Sequence, residues 1–160
     1  MYPAETKFLI IDDQAPMRKF VKEVLAEMGY FSVIEAVDGQ SALELLQDNA
    51  DTTDPVNFII SDWSMPRMTG IELLKIIRSK DPFKALPFML VSGERDEAHI
   101  IQAAKAGVSD YIHVRLHCEQ AAAAILLQCI ESRRASSHPL ACGGMGREGC
   151  ARQCRGPHLY

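Results

Sequence analysis

The chain alternates short apolar runs with longer amphipathic stretches. Apolar runs of strand length, bounded by polar or turn residues, predict five strands at residues 7–11, 32–36, 58–61, 87–91 and 110–112. The segments between them are long enough to cross over a parallel sheet as helices. This five-fold βα alternation predicts an α/β fold: a parallel sheet covered by helices on both faces.

Helical periodicity supports this order. The first segment places apolar residues three and four positions apart: Met17, Phe20, Val21, Val24, Leu25 and Met28. The second helix is predicted after Asp38-Gly39, and the third after Thr69-Gly70, where Thr69 could cap the helix. The fourth runs from about residue 96 to Gly107, and the fifth from residue 119 to about residue 133.

Polar side chains stand where three of the predicted strands end. Asp12 and Asp13 follow the first strand, Asp62 follows the third and Ser92 follows the fourth. Ligands of open α/β sheets bind at the carboxyl ends of the strands, so these groups are predicted to converge on one pocket. Each has a simpler interpretation: Asp12 and Asp13 could cap the first helix, Asp62 could begin a turn, and Ser92 could be an ordinary loop serine.

Composition narrows the class of protein. The 160 residues are 48% hydrophobic, which suits one domain with a real core. A net charge of −4 argues against general nucleic-acid binding, which needs clustered basic surface. The apolar runs are too short to span a bilayer, and the N-terminal residues lack a signal-peptide core. A cytoplasmic protein with no membrane and no nucleic-acid partner is therefore expected.

These motifs together resemble a response-regulator receiver domain, and the similarity is closest to the single-domain chemotaxis (CheY-like) type. The resemblance rests on the acidic pair after the first strand, on residues 62–70, on Ser92 and on Tyr111, and it runs from about residue 7 to residue 112. It implies a (βα)5 flavodoxin-like three-layer sandwich with strand order 2-1-3-4-5. The predicted receiver spans residues 1–133, and residues 134–160 form a tail expected to be disordered.

The resemblance also implies a role for each site residue. Asp62 would accept a phosphoryl group from a histidine kinase or phosphotransfer protein. Asp12, Asp13, Asp62 and the backbone carbonyl of Trp63 would hold Mg²⁺. Ser92 would be the switch hydroxyl and Tyr111 the switch aromatic. Taken alone, Tyr111 would be interpreted as a half-buried aromatic residue of a strand. Ser64 and Glu94 would lie near the pocket and tune the lifetime of the acyl phosphate.

The chain departs from the family pattern after the fifth strand. Where the family has Lys-Pro, this chain has Val114-Arg115, so the charge partner expected for Asp62 is absent from its usual position. Arg115 could replace the lysine only through a one-residue slip or bulge. All five cysteines follow residue 113 and no lysine follows Lys105, which suggests a reading-frame change from about His113 onward. An error-free, in-frame read of codons 105–160 would disprove that hypothesis.

The expected function is phosphate-dependent signalling through protein contacts, with a target such as a flagellar motor switch component and with no ordinary enzyme activity. The alternative is a degenerate receiver that binds partners independently of phosphorylation, as the replacement by Val114 would favour. A phosphatase of the haloacid dehalogenase type would need Asp-x-Asp after the first strand, whereas this chain has Asp12-Asp13-Gln14. A zinc site in the tail is disfavoured because its cysteines form no Cys-x-x-Cys pair.

Overall fold

The computed structural model describes residues 5–93, 97–113 and Ile130. Within them, five strands alternate with four helices. The strands are Phe8–Ile11 (β1), Val33–Ala36 (β2), Phe58–Asp62 (β3), Phe88–Ser92 (β4) and Asp110–His113 (β5). The helices are Ala15–Glu27 (α1), Gly39–Ala50 (α2), Gly70–Ser79 (α3) and Glu97–Lys105 (α4), with a short 3₁₀ turn at Phe83–Ala85.

The five strands form one parallel sheet in the order β2-β1-β3-β4-β5. This confirms the predicted flavodoxin-like fold and its strand order. Three strands, β3, β4 and β5, run one residue further than expected, so that Asp62 and Ser92 are the last residues of β3 and β4. The predicted fifth helix, apart from Ile130, lies outside the described residues, as do Glu94, Val114, Arg115 and the tail.

The core lies on both faces of the sheet. Along β1, Leu9 and Ile11 pack in one cluster with α2 and α3, whereas Phe8 and Ile10 pack in the other with α1. Alternate residues of a strand point to opposite faces, so a strand apolar at every position must be covered on both sides. Each fully buried side chain of this kind contributes about 1.5–3 kcal/mol.

The helix starts fix the loops that surround the carboxyl ends of the strands. Thr69 caps α3, as predicted, and does so through a capping box with Glu72, whereas Asp38 caps α2 through a capping box with Ser41. Helix α1 instead follows Gln14, whose side chain makes no capping hydrogen bond. The interpretation of Asp12 and Asp13 as helix caps is therefore wrong.

Within the part of the chain that the structure describes, no helix combines the length and the apolar character that crossing a membrane requires.

Candidate functional site

Three carboxylates meet at the carboxyl end of the sheet. One carboxylate oxygen each from Asp12, Asp13 and Asp62 lies within 4.8 Å of the others. Asp12 is 7% exposed, Asp62 is half-buried and Asp13 is exposed. The predicted convergence of these residues, fifty positions apart in the chain, is thus present in the structure.

Asp12 is fixed by its neighbours in the sheet and in α1. Its backbone N–H donates to the Ala36 carbonyl of β2 at 3.2 Å. Its Oδ1 accepts a hydrogen bond from the Gln14 N–H at 2.7 Å, and its carbonyl accepts one from Arg18 Nη1 at 2.8 Å. The Arg18 Nε in turn lies 3.2 Å from Glu35 Oε2. These contacts leave the Asp12 carboxylate aimed into the pocket with little freedom to reorient.

Asp62 is held from the loop that follows β3. Its Oδ2 accepts a hydrogen bond from the Ser64 N–H at 3.1 Å. Immediately after it, the Trp63 N–H donates to the Val91 carbonyl at 2.9 Å, which extends the β3–β4 pairing past Asp62. Ser64 therefore lies beside the carboxylate, as the family resemblance implied.

Burial and electrostatic repulsion raise the pKa of the two least exposed carboxyls, those of Asp12 and Asp62. Burial first, and then the charge of Asp12, raise the pKa of Asp62 from its ordinary value of 3.8 to about 6 against the opposing effect of backbone hydrogen bonds. Burial likewise raises the pKa of Asp12 to about 6, opposed by the Gln14 N–H and reinforced by the charge of Asp13. A bound cation would relieve this repulsion, and carboxylate oxygens are the ligands that hard divalent cations prefer.

The Trp63 carbonyl, a predicted metal ligand, already accepts a hydrogen bond from the Gly70 N–H at 3.0 Å. A metal at this oxygen would use the second lone pair. Gly70 itself approaches β3 closely: a Cβ there would lie 2.1 Å from the Asp62 carbonyl oxygen. The start of α3 is thus pressed against the end of β3, which fixes the Trp63 backbone on the side of α3.

Ser92 and Tyr111 occupy neighbouring strands at this end of the sheet. Ser92 is buried and ends β4, one residue beyond Val91, the register partner of Asp62. Tyr111 lies in β5, with its ring edge-on to Trp63 at a centroid distance of 6.3 Å. The Tyr111 hydroxyl is buried and has no hydrogen-bond partner among the described residues. Ser92 therefore lies next to the register partner of Asp62, and Tyr111 contacts the ring of the residue that follows Asp62. Their roles as switch residues stay predictions.

Two features of this region were not predicted. His99 of α4 stacks on the Trp63 ring, with centroids 4.3 Å apart and planes 22° apart. Arg67, in the loop after Asp62, forms an ion pair with the buried Asp38 from a backbone with φ of 65°. His99 lies four residues before the buried Ala103, and this spacing could have indicated that both residues lie on the face of α4 that packs against the sheet. No sequence signal indicated the backbone conformation of Arg67.

The comparisons with known proteins agree with this architecture. A family model described as the response regulator receiver domain matches residues 8–125. The chemotaxis protein CheY1 of Helicobacter pylori is 42% identical over 106 residues, covering 66% of this chain and 82% of the relative. The chemotaxis protein CheY of Pseudomonas aeruginosa is 40% identical over the same length, with the same coverage. Among solved structures, the response regulator domain of Thermotoga maritima CheB has a TM-score of 0.67 at 28% identity, covering 83% of this chain and 98% of that one.

Proposed function

This chain belongs to the response regulator receiver family, and from that premise we propose that it accepts a phosphoryl group on Asp62 from a phosphohistidine donor. Receivers are switches of two-component signalling rather than ordinary enzymes. The observation that carries the proposal is the grouping of the Asp12, Asp13 and Asp62 carboxylates at the open end of the sheet.

Phosphoryl transfer requires mainly that the protein position the reacting groups and stabilise the charge that develops on them. A carboxylate oxygen of Asp62 attacks the phosphorus in line with the histidine nitrogen; the new P–O bond forms as the P–N bond breaks, and the nitrogen keeps the electron pair. The Ser64 N–H, which donates to Oδ2, holds the carboxylate in one orientation. The product is a mixed anhydride on Asp62.

Asp12, Asp13 and Asp62 fit a Mg²⁺ ion, with the Trp63 carbonyl as a proposed further ligand. The fit rests on three carboxylates with oxygens within 4.8 Å and on two of them having a pKa raised by burial and repulsion. When bound, the ion neutralises charge on the transferring phosphoryl group. Arg18 donates a hydrogen bond to the Asp12 carbonyl, so it holds Asp12 in place and leaves the Asp12 carboxylate available to the ion.

Ser92 and Tyr111 are proposed to report the modification. A hydroxyl at the end of β4 can turn toward the new phosphoryl oxygens, and the Tyr111 ring can respond because its hydroxyl has no partner to hold it among the described residues. The donor would be a histidine kinase or phosphotransfer protein in the cytoplasm. Because curated relatives are named chemotaxis proteins, a flagellar motor switch component is the proposed kind of target.

A degenerate receiver is the second candidate, favoured by Val114 at the position of the family lysine. Such a protein would bind partners without a response to phosphate. Its site would still be acidic, but nothing at residue 114 could pair with the phosphoryl group.

Incubation with a phosphoramidate and Mg²⁺, followed by intact-mass measurement, tests phosphoacceptance. We expect one phosphoryl group per chain, dependent on Mg²⁺ and absent from Asp62→Asn. Asp48→Asn, which changes an exposed carboxylate of α2, is the matched control and should label like the parent. An unlabelled parent protein would refute the proposal.

Val114→Lys tests whether the absence of the family lysine limits switching. If the missing lysine limits switching, the variant should strengthen the change in Trp63 fluorescence that follows phosphorylation. Since the chain has a single tryptophan, the signal reports this site alone. A response equal to that of the parent at equal labelling would contradict the assigned role of residue 114.

A further inference from the structure

Helix α4 has few side-chain anchors on the body of the protein. Of its residues from Ala98 to Lys105, only Ala103 is buried and only His99 is half-buried. Ile100 and Ile101 are 47% and 54% exposed. Among the side chains from Ala98 to Ile101, that of His99 is therefore the one least exposed to solvent, and Ala103 lies one turn further on.

His99 reaches the core by stacking on Trp63. The ring centroids are 4.3 Å apart and the planes differ by 22°, which is a stacked arrangement. Trp63 is only 8% exposed, and within the described part of the chain its ring also makes a T-shaped contact with Tyr111 of β5. Aromatic pairs of this kind contribute about 0.5–1.5 kcal/mol beyond the area they bury.

The backbone of Trp63 cannot move independently of the acidic site. It directly follows Asp62, and its N–H and carbonyl are bonded to Val91 of β4 and to Gly70 of α3. A displacement of the end of β3 must therefore appear at the Trp63 ring, which stacks with His99 and makes a T-shaped contact with Tyr111.

We propose that His99 is a positioning residue that couples the Asp62 site to helix α4. In the resting protein, the stack on Trp63 holds the N-terminal half of α4 against the sheet. On modification of Asp62, the change in Trp63 passes to α4 through the same contact and alters how Ile100 and Ile101 are presented. The second step rests on the function proposed above; the first does not.

Hydrogen exchange of residues 98–105 in the unmodified protein tests the resting contact. His99→Gln removes the ring, His99→Phe keeps a ring at the same position, and Gln102→His, which retains His99, adds an imidazole at an exposed position of the same helix as a control. We expect exchange about two- to tenfold faster in His99→Gln, the factor that corresponds to the loss of one stacked pair. His99→Phe and Gln102→His should exchange like the parent. Equal exchange in His99→Gln and the parent would overturn the proposal.

The same variants, treated with phosphoramidate and Mg²⁺, test the coupling. His99→Gln should carry as much phosphate on Asp62 as the parent while showing a smaller change in α4 exchange, and His99→Phe should restore that change. A purely structural role would leave the change intact, and that result would refute the coupling.

If the parent protein is not phosphorylated, the proposed function is refuted, and hydrogen exchange in the unmodified protein alone tests the contact between His99 and Trp63. If His99→Gln does not fold, labelled His99→Phe decides, and loss of its α4 response would refute the proposal.

Discussion

At the scale of single residues, the acidic site depends on close packing behind it as well as on its carboxylates. The α carbon of Gly70 faces the Asp62 carbonyl oxygen, the Leu90 side chain and Ser61 Oγ, each within 3.0 Å of where a Cβ would stand. Two of these contacts are with β3 itself. A glycine is therefore required at position 70, because any side chain there would push the start of α3 away from the end of β3.

Gly70→Ala should lower the free energy of unfolding by roughly 1–3 kcal/mol, because the added methyl group overpacks a site bounded by backbone. Urea unfolding measures this change. Gly29→Ala is the comparison, since Gly29 has φ of +86° with nothing within 4 Å of the added atom. Its cost should be the conformational one of about 1–2 kcal/mol, with Mg²⁺ binding unchanged. Gly70→Ala should also weaken Mg²⁺ binding; unchanged binding would show that the α3 contact does not shape the site.

The sequence predicted the residues whose position follows from strand ends, and missed those whose position depends on loop conformation. Asp12, Asp13 and Asp62 end or follow strands of one parallel sheet, so topology alone brings them together. Arg67 reaches Asp38 only because its backbone adopts a left-handed conformation that arginine seldom takes. No pattern of hydrophobicity encodes that choice.

At the scale of elements, the loops around the pocket are set by capping boxes. In the box that starts α3, the Thr69 Oγ1 accepts from the Glu72 N–H at 3.4 Å, and Glu72 Oε2 accepts from the Thr69 N–H at 2.9 Å. The start of α3 is also where Gly70 touches Asp62. The cap therefore contributes to the geometry of the site as well as to the helix.

Thr69→Ala should destabilise the protein by about 1 kcal/mol, since it leaves a helix N–H without its side-chain acceptor. Thermal or urea unfolding provides the measurement. Thr53→Ala, at an exposed threonine in the loop after α2, is the control and should change stability by less than about 0.5 kcal/mol. Equal effects of the two substitutions would argue against the capping box.

The element boundaries differ from the predicted ones by one residue for physical reasons. Strand β1 was expected from residue 7, but the Lys7 N–H donates to the Asn57 side chain, and the strand begins at Phe8. Strand β3 runs on to Asp62 because the pairing with β4 continues through the Trp63 N–H. Apolar character marks the centre of a strand, whereas backbone hydrogen bonds decide its ends.

At the scale of the whole molecule, the acidic pocket should make stability depend on pH. Asp12 and Asp62 have a pKa of about 6 in the folded protein against an ordinary value of 3.8. Between these values the folded protein binds more protons than the unfolded chain. The free energy of unfolding therefore falls as the pH rises through this window, by on the order of 2 kcal/mol in the absence of divalent cations.

Asp62→Asn should remove much of this dependence. We expect its free energy of unfolding to match that of the parent near pH 4 and to exceed it by about 1–2 kcal/mol at pH 7 without Mg²⁺. Saturating Mg²⁺ should narrow the gap, since the ion stabilises the folded parent. Urea unfolding across this pH range gives the comparison, with Asp48→Asn as the exposed control. A constant gap at all pH values would contradict the assigned burial and repulsion.

The most direct measurement of the central claim is chemical trapping of the acyl phosphate. Borohydride reduces an aspartyl phosphate to homoserine, which peptide mapping locates to a residue. After incubation with phosphoramidate, we expect homoserine at position 62 only, in amounts that depend on Mg²⁺. Homoserine at another aspartate, or none in a protein that binds Mg²⁺, would contradict the account of Asp62 as the phosphoacceptor.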